Sequence, residues 1–290
     1  MLNILKTEQN TLNKTFPIPP SGIQLVAFDL DGTLMDSHGE LPNRAVDAFA
    51  AAHNAGVQLS ITTGRNACSI IPLSKFLPVT GPHVASGGSL VCGNGGRPIY
   101  ARHGLNIDMA QQVVRICRRW KLTIFFHGSS HILVENPGIY LTQADLPSFP
   151  GHPRPCEDIL AGLRFKPLKI TVYGAGDSLR AARTELEQRN LDFTMTHSDA
   201  DDIEITPPGV NKGTALREVS TVTGISLEHI MVIGDSPNDL PMFAEAGLAI
   251  AVDNAAPEVK QAANRVVPSN DEGGVLWAIQ HLALSPTPIL

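Results

Sequence analysis

Short, almost unbroken apolar runs recur at both ends of this chain, and they constrain its fold more than any other feature. Ile23-Gln24-Leu25-Val26-Ala27-Phe28, Val57-Gln58-Leu59-Ser60-Ile61-Thr62 and His83-Val84-Ala85-Ser86 come early; Ile230-Met231-Val232-Ile233 and Leu248-Ala249-Ile250-Ala251-Val252 come late. Runs of this kind are strands buried on both faces, the habit of parallel sheets. Between them, residues 45–52 are rich in strong helix formers and close at Gly56, and a later helix ends at Gly247. Strand–helix–strand alternation demands right-handed crossovers and gives an α/β, doubly wound, Rossmann-like sheet.

The middle of the chain breaks this pattern. Strand-like segments at 98–100, 122–126, 132–134 and 169–173 mix with helical stretches at 107–120 and 177–189, and a proline-rich loop spans 137–155. The expected organisation is a core built from residues 22–95 and 201–290, with an inserted α+β unit over 96–200. Gly93-Asn94-Gly95-Gly96 and residues 199–202 are the expected hinges. Residues 1–21 are polar, end in Pro17-Ile18-Pro19-Pro20, and read as a flexible leader without the apolar middle of a secretory signal.

Composition narrows the function. A hydrophobic fraction of 43% supplies a sizeable core, and a net charge of −6 argues against a nucleic-acid partner. No apolar stretch has the length of a membrane span, so no membrane partner is expected. Cys68, Cys92, Cys117 and Cys156 are far apart and form no Cys-x-x-Cys pair. Reduced thiols in a cytoplasmic protein are the expectation.

The candidate chemistry sits where the apolar runs end. Asp29 and Asp31, in Asp29-Leu30-Asp31-Gly32-Thr33-Leu34, leave the first strand on one side, because strand side chains alternate. Two carboxylates this close repel unless a cation or a shared proton relieves them, and Mg²⁺ favours oxygen ligands. Asp29 could then act as a nucleophile and Asp31 as a proton carrier. The plainer alternative is a turn with Asp31 as a helix cap. Thr63-Gly64-Arg65 follows the second strand, and Gly234-Asp235-Ser236-Pro237-Asn238-Asp239 follows Ile233. Lys212 lies in Gly209-Val210-Asn211-Lys212-Gly213, whose Lys-Gly-Thr order is not that of a P-loop. In a doubly wound sheet these sites share one crevice. A nucleophilic carboxylate, a hydroxyl, a lysine and an acidic metal site together suit phosphoryl transfer. Two roles stay open: Arg65 either approaches phosphate or forms a structural ion pair, and Asp239 either serves the site or caps the helix containing Pro241.

In combination these motifs resemble the haloacid dehalogenase-like (HAD) hydrolase superfamily over nearly all of residues 22–285. The segment 209–216 and the tail Asn254-Ala255…Glu258-Val259-Lys260 resemble its Cof-type phosphatase branch, whose large cap lies where the inserted unit lies here. The resemblance implies an HAD core with an α+β cap domain and an Mg²⁺-dependent phosphatase acting on a small phosphorylated metabolite through an aspartyl phosphate. It implies Asp29 as nucleophile and Asp31 as acid and base, with Thr63, Gly64, Lys212 and Asn238 around the phosphoryl group. Asp29, Asp31 through its backbone carbonyl, and Asp235 would hold the metal, with Asp239 supporting the metal water or Lys212. The chain departs from the family pattern at Gly87-Gly88-Ser89 and at Val252-Asp253-Asn254-Ala255. The alternatives are a phosphomutase of the phosphomannomutase type and a non-enzymatic sensor on the same fold. His127, His131 and Glu135 are either surface residues of the inserted unit or contacts to the leaving group.

Overall fold

The computed structural model describes residues 22–94, 99–136, 152–161, 163, 165–189, 191–198 and 200–284. The expected leader, most of the proline-rich loop, Gly95 and Gly96 of the first hinge and Asp199 of the second lie outside these residues.

In chain order the first segment carries β1 (Leu25–Phe28), α1 (Ala45–Asn54), β2 (Gln58–Ile61), α2 (Ala67–Phe76), β3 (His83–Ala85), β4 (Leu90–Cys92) and β5 (Ile99–Arg102). The middle carries α3 (Ile107–Arg119), β6 (Thr123–His127), β7 (Ile132–Glu135), β8 (Arg154–Pro155), β9 (Lys169–Tyr173), α4 (Gly176–Gln188), β10 (Thr194–Thr196) and β11 (Asp202–Thr206). The last segment carries α5 (Lys212–Thr223), β12 (Ile230–Gly234), α6 (Leu240–Glu245), β13 (Leu248–Val252), α7 (Pro257–Ala262), β14 (Arg265–Val267) and α8 (Gly274–Ala278).

Five strands form a parallel sheet in the order β14-β13-β12-β1-β2. The chain runs from β1 to β2 on one side, while β12, β13 and β14 fill the other, so the strand order reverses between β1 and β12. Such a switch point opens a crevice at the carboxyl ends of the strands. β1, β12 and β13 are buried at every position, as their unbroken apolar runs require. A short antiparallel sheet, β3-β4-β5, is tied to the core by a parallel bridge between Thr62 and Val84.

A six-stranded sheet has the order β10-β11-β9-β6-β7-β8. Its apolar face packs under α3 and α4 in a core of its own, which includes Val113, Ile124, Phe126, Ile170, Val172, Ile203 and Ile205. The pairing corrects both expected boundaries. β11 is antiparallel to β9, so this sheet runs to Thr206 and not to residue 200, and β5 pairs with β4 and not with the second sheet. The reason is physical: Asp202-Ile203-Glu204-Ile205-Thr206 alternates polar and apolar residues. Its charged side chains could not sit in a sheet buried on both faces by helices.

Candidate active site

Asp29 stands at the end of β1, where its backbone N–H still donates to the Ile233 carbonyl of β12 (3.0 Å). The chain then turns sharply through residues 30–34. Gly32 makes the turn possible twice over: its φ is +74°, and a Cβ there would lie 2.6 Å from Asp235 Oδ2. The turn brings Thr33 against the loop after β12, and its hydroxyl donates to Asp235 Oδ1 (2.5 Å).

Lys212 is delivered by the cap of α5. The Asn211 side chain accepts the N–H groups of Gly213 and Thr214 (2.9 Å each), and Thr214 completes a capping box, so the helix begins at Lys212. The lysine is buried, with Nζ 2.9 Å from Asp29 Oδ1 and 2.6 Å from Asp239 Oδ1. Asp239 is wholly buried, and its other oxygen accepts the N–H groups of Asp235 (3.0 Å) and Ser236 (3.1 Å). It therefore ties the loop after β12 to Lys212, and its side chain makes no capping hydrogen bond to the helix that contains Pro241.

Asp29, Asp235 and Asp239 each present an oxygen within 4.8 Å of the others. Three carboxylates face one ammonium, and the imbalance appears in their proton affinities. Burial raises Asp29 well above the usual carboxylate range; Lys212 opposes this, while Asp239, Asp235 and Asp31 reinforce it. Burial and then Asp239 push Asp235 up to about 7. Burial alone would lower Lys212, but Asp239 and Asp29 hold it above its ordinary value. Only oxygen donors meet here, with surplus negative charge. That donor set fits a hard divalent cation such as Mg²⁺.

The other expected residues fall around this centre. Asp31 is not in the acidic cluster. Its carboxylate is gripped by two guanidinium nitrogens of Arg65, Nη2 and, at 2.7 Å, Nε, so Arg65 makes the ion pair. Thr63 is fully buried, and its Oγ1 accepts the Arg65 N–H (3.0 Å). Asn238 donates its amide to Ser198 Oγ (2.9 Å) and Glu204 Oε2 (3.2 Å), which bridges the core to the second sheet. Asn66 makes a second bridge, to the Gly128 carbonyl.

A cavity of about 540 Å³ lies between the strand ends and the second sheet. Asp29, Asp31, Gly64, Arg65, Asp235 and Asn238 line its floor, while Thr63, Lys212 and Asp239 stand behind them. The roof is the polar face of the second sheet: Phe125 and His127 of β6, Lys169, Thr171 and Tyr173 of β9, Asp202 and Glu204 of β11. Of the three residues weighed in the inserted unit, His127 is buried in this roof. His131 packs edge-on against Phe165, and Glu135 is buried in an ion pair with Arg118 (2.7 Å). Lys169, Thr171 and Glu204 escaped the sequence reading. Their signal was present: polar residues at every second position of β9 and β11 mark one face of a half-buried strand.

The family model for haloacid dehalogenase-like hydrolases matches residues 26–279. The Bacillus subtilis protein YxeH is 30% identical over 90% of this chain and 99% of its own. The 5-amino-6-(5-phospho-D-ribitylamino)uracil phosphatase YwtE of the same organism is 29% identical over 90% of this chain and 98% of its own. A solved haloacid dehalogenase-like hydrolase from Bacteroides thetaiotaomicron superposes with a TM-score of 0.78 at 26% identity, covering 89% of this chain and 98% of that one. With Asp29, Lys212 and the acidic loop after β12 gathered at one switch point, the chain belongs to the haloacid dehalogenase-like hydrolases, as a phosphatase of that family.

Proposed function

We propose that this enzyme is an Mg²⁺-dependent phosphatase that releases phosphate from a small phosphorylated metabolite, a sugar phosphate or a cofactor phosphate, through an aspartyl phosphate. The observation that carries this reading is the placement of Asp29: a carboxylate at the cavity floor, 2.9 Å from a buried lysine and beside the Asp235 carboxylate. The YwtE relative is a phosphatase of 5-amino-6-(5-phospho-D-ribitylamino)uracil, a small phosphorylated molecule, in line with this reading.

Asp29 and Asp235 would hold the cation, together with the backbone carbonyl of Asp31. Asp239, with both oxygens already engaged, anchors them. When bound, the cation neutralises phosphoryl oxygens and keeps Asp29 ionised. An Asp29 oxygen attacks phosphorus, and the bond to the ester oxygen breaks. Asp31, released from Arg65 and protonated, gives its proton to the departing alkoxide. A water molecule then attacks the aspartyl phosphate and loses its proton to Asp31; phosphate leaves and Asp29 is restored. The Thr63 hydroxyl and the Gly64 N–H hold phosphoryl oxygens, and Lys212 balances charge on Asp29 throughout.

The second sheet with α3 and α4 acts as the cap, and Asn66 and Asn238 latch it over the cavity. Closure keeps bulk water from the aspartyl phosphate. A cytoplasmic location suits the four unpaired cysteines. Among the described residues, no helix is long and apolar enough to cross a membrane.

The test is phosphate release from a panel of phosphorylated metabolites with Mg²⁺. We expect turnover of at least one sugar or cofactor phosphate, loss on chelation, and a fall of at least about 10³-fold in Asp29→Asn. Unchanged activity in Asp29→Asn would overturn the mechanism. Isomerisation of a sugar phosphate without phosphate release would identify a mutase.

A further inference from the structure

The cavity roof is built, and its parts are unusual for a surface that only excludes water. Across the β6–β9 pair His127 faces Lys169, and across the β9–β11 pair Thr171 faces Glu204. All four side chains are more than nine-tenths buried. Lys169 Nζ is ion-paired with Glu204 Oε1, and His127 Nε2 is 2.9 Å from Thr171 Oγ1. The other ring nitrogen, His127 Nδ1, is buried with no hydrogen-bond partner among the described residues. A buried polar atom left unpaired is costly, and the ring that carries it lines the cavity. The ion pair also sits directly on the turn expected to hold phosphate. A Cβ at Gly64 would lie 3.0 Å from Glu204 Oε1 and 3.4 Å from Lys169 Nζ.

The charge count on this wall decides what can sit there. Among the described residues lining the cavity, Arg65 pairs with Asp31 on the floor, and the roof's cation, Lys169, is engaged by Glu204, while Asp202 adds a further carboxylate to the roof. Arg65, freed when Asp31 takes up its proton, lies on the floor next to Gly64, so a second phosphate or a carboxylate under the roof would meet, among the described residues, a lysine already paired and the carboxylates of Glu204 and Asp202. Burial, with Lys169 beside it, holds His127 well below its ordinary range, so the ring adds no positive charge. Burial alone would raise Glu204, but Lys169 keeps it ionised, with a pKa of about 2. On the same face, Phe125 and Tyr173 meet edge to face at 5.3 Å and supply an apolar wall.

Resting on the phosphatase reading above, we propose that His127, Thr171 and the Lys169–Glu204 pair form the leaving-group site, which takes an uncharged leaving group bearing hydroxyl or amide groups. His127 Nδ1 makes one hydrogen bond to that group. The ion pair offers a second donor and acceptor, and Phe125 with Tyr173 covers the carbon skeleton. A bisphosphate or a carboxylate-bearing ester is rejected by charge.

The test compares four esters on the full-length enzyme with Mg²⁺: glucose 6-phosphate, fructose 1,6-bisphosphate, 3-phosphoglycerate, and p-nitrophenyl phosphate, which carries no hydroxyl. We expect kcat/KM for glucose 6-phosphate to exceed that for the two anionic esters by about 100-fold or more. His127→Leu should raise KM for glucose 6-phosphate about 10- to 100-fold while leaving p-nitrophenyl phosphate within about 3-fold. Thr171→Val, which frees the ring, should act in the same direction and serves if His127→Leu does not fold. Glu204→Gln leaves Lys169 unpaired and should narrow the discrimination against the bisphosphate. Preference for either anionic ester would overturn the proposal, as would an equal loss on both uncharged esters in His127→Leu and Thr171→Val. Absence of hydrolysis of any ester, p-nitrophenyl phosphate included, would overturn the phosphatase reading and this proposal with it.

Discussion

Replacing Lys212 by methionine isolates the electrostatics at the centre of the site. Methionine fills similar space but leaves Asp29 and Asp239 without the ammonium that now lies 2.9 and 2.6 Å from them. Removing one partner of a buried ion pair costs about 3–5 kcal/mol, because a charge stays behind without compensation. The carboxylates limit that cost by taking up protons, which gives the prediction a pH signature. Asp29 already has a raised folded value, and losing Lys212 raises it further. A carboxyl group whose pKa is raised in the folded state contributes stability that is complete below its unfolded value of 3.8 and is lost as pH rises through the folded value. The variant should therefore lose stability more steeply with rising pH than the parent, by about 1.4 kcal/mol per pH unit for each additional proton held.

The assay is urea unfolding in a chelating buffer at pH 5.5 and pH 7.5. Trp120 packs on the second core and Trp277 on the first, so a Trp120→Phe background reports the core that holds Lys212. We expect Lys212→Met to cost about 3–5 kcal/mol at pH 7.5 and about 1–3 kcal/mol less at pH 5.5. A cost under about 1 kcal/mol at the higher pH, or one that grows on acidification, would refute the reasoning.

The remaining expectations concern the parts around this centre. His83 accepts the Ile61 N–H at Nδ1 (3.1 Å) and meets Asn94 Oδ1 through Nε2 (2.6 Å), and burial holds its pKa below 6.5. Its contribution is present above pH 6.5 and is lost as pH falls, so the stability difference between the parent and His83→Gln should shrink by about 1.4 kcal/mol per unit on acidification below that point; a constant difference from pH 7.5 to 5.5 would rule this out. Gly32→Ala forces a side chain into a positive φ, costing about 1–2 kcal/mol, and displaces Asp235; Mg²⁺ titrations followed by melting temperature should show weaker binding. Asn238→Ala removes a bridge to Ser198 and Glu204, so KM should rise roughly 10-fold with a smaller change in kcat; unchanged steady-state kinetics would deny Asn238 a part in closure.

The core and its floor were legible in the sequence because one physical fact carries both. A strand buried between helix layers is apolar throughout, so the first polar residues after it mark its carboxyl end, and in a parallel sheet those ends meet. Asp29 and Asp235 follow such strands directly, and Thr63 comes two residues after β2, whose end lies beside theirs. Lys212 was legible beside them, because what positions it, the Asn211 cap at the start of α5, is local in sequence. The roof obeys a different rule. His127 and Lys169 are far apart in sequence, and so are Thr171 and Glu204; they become neighbours only through strand register. Taken strand by strand, alternating polar residues in β9 and β11 indicate an ordinary solvated face. The face is buried because a second layer, the floor of the site, lies against it. The charges themselves betray this. A solvated face has no need to place Lys169 opposite His127 while Glu204, one strand further, reaches Lys169 itself, and burial of all three makes that pairing obligatory. Opposite charges that converge only through cross-strand register therefore separate an inward-facing polar sheet face from a solvated one. In this chain they mark the second sheet as the buried roof of the cavity, the wall proposed above to select the leaving group.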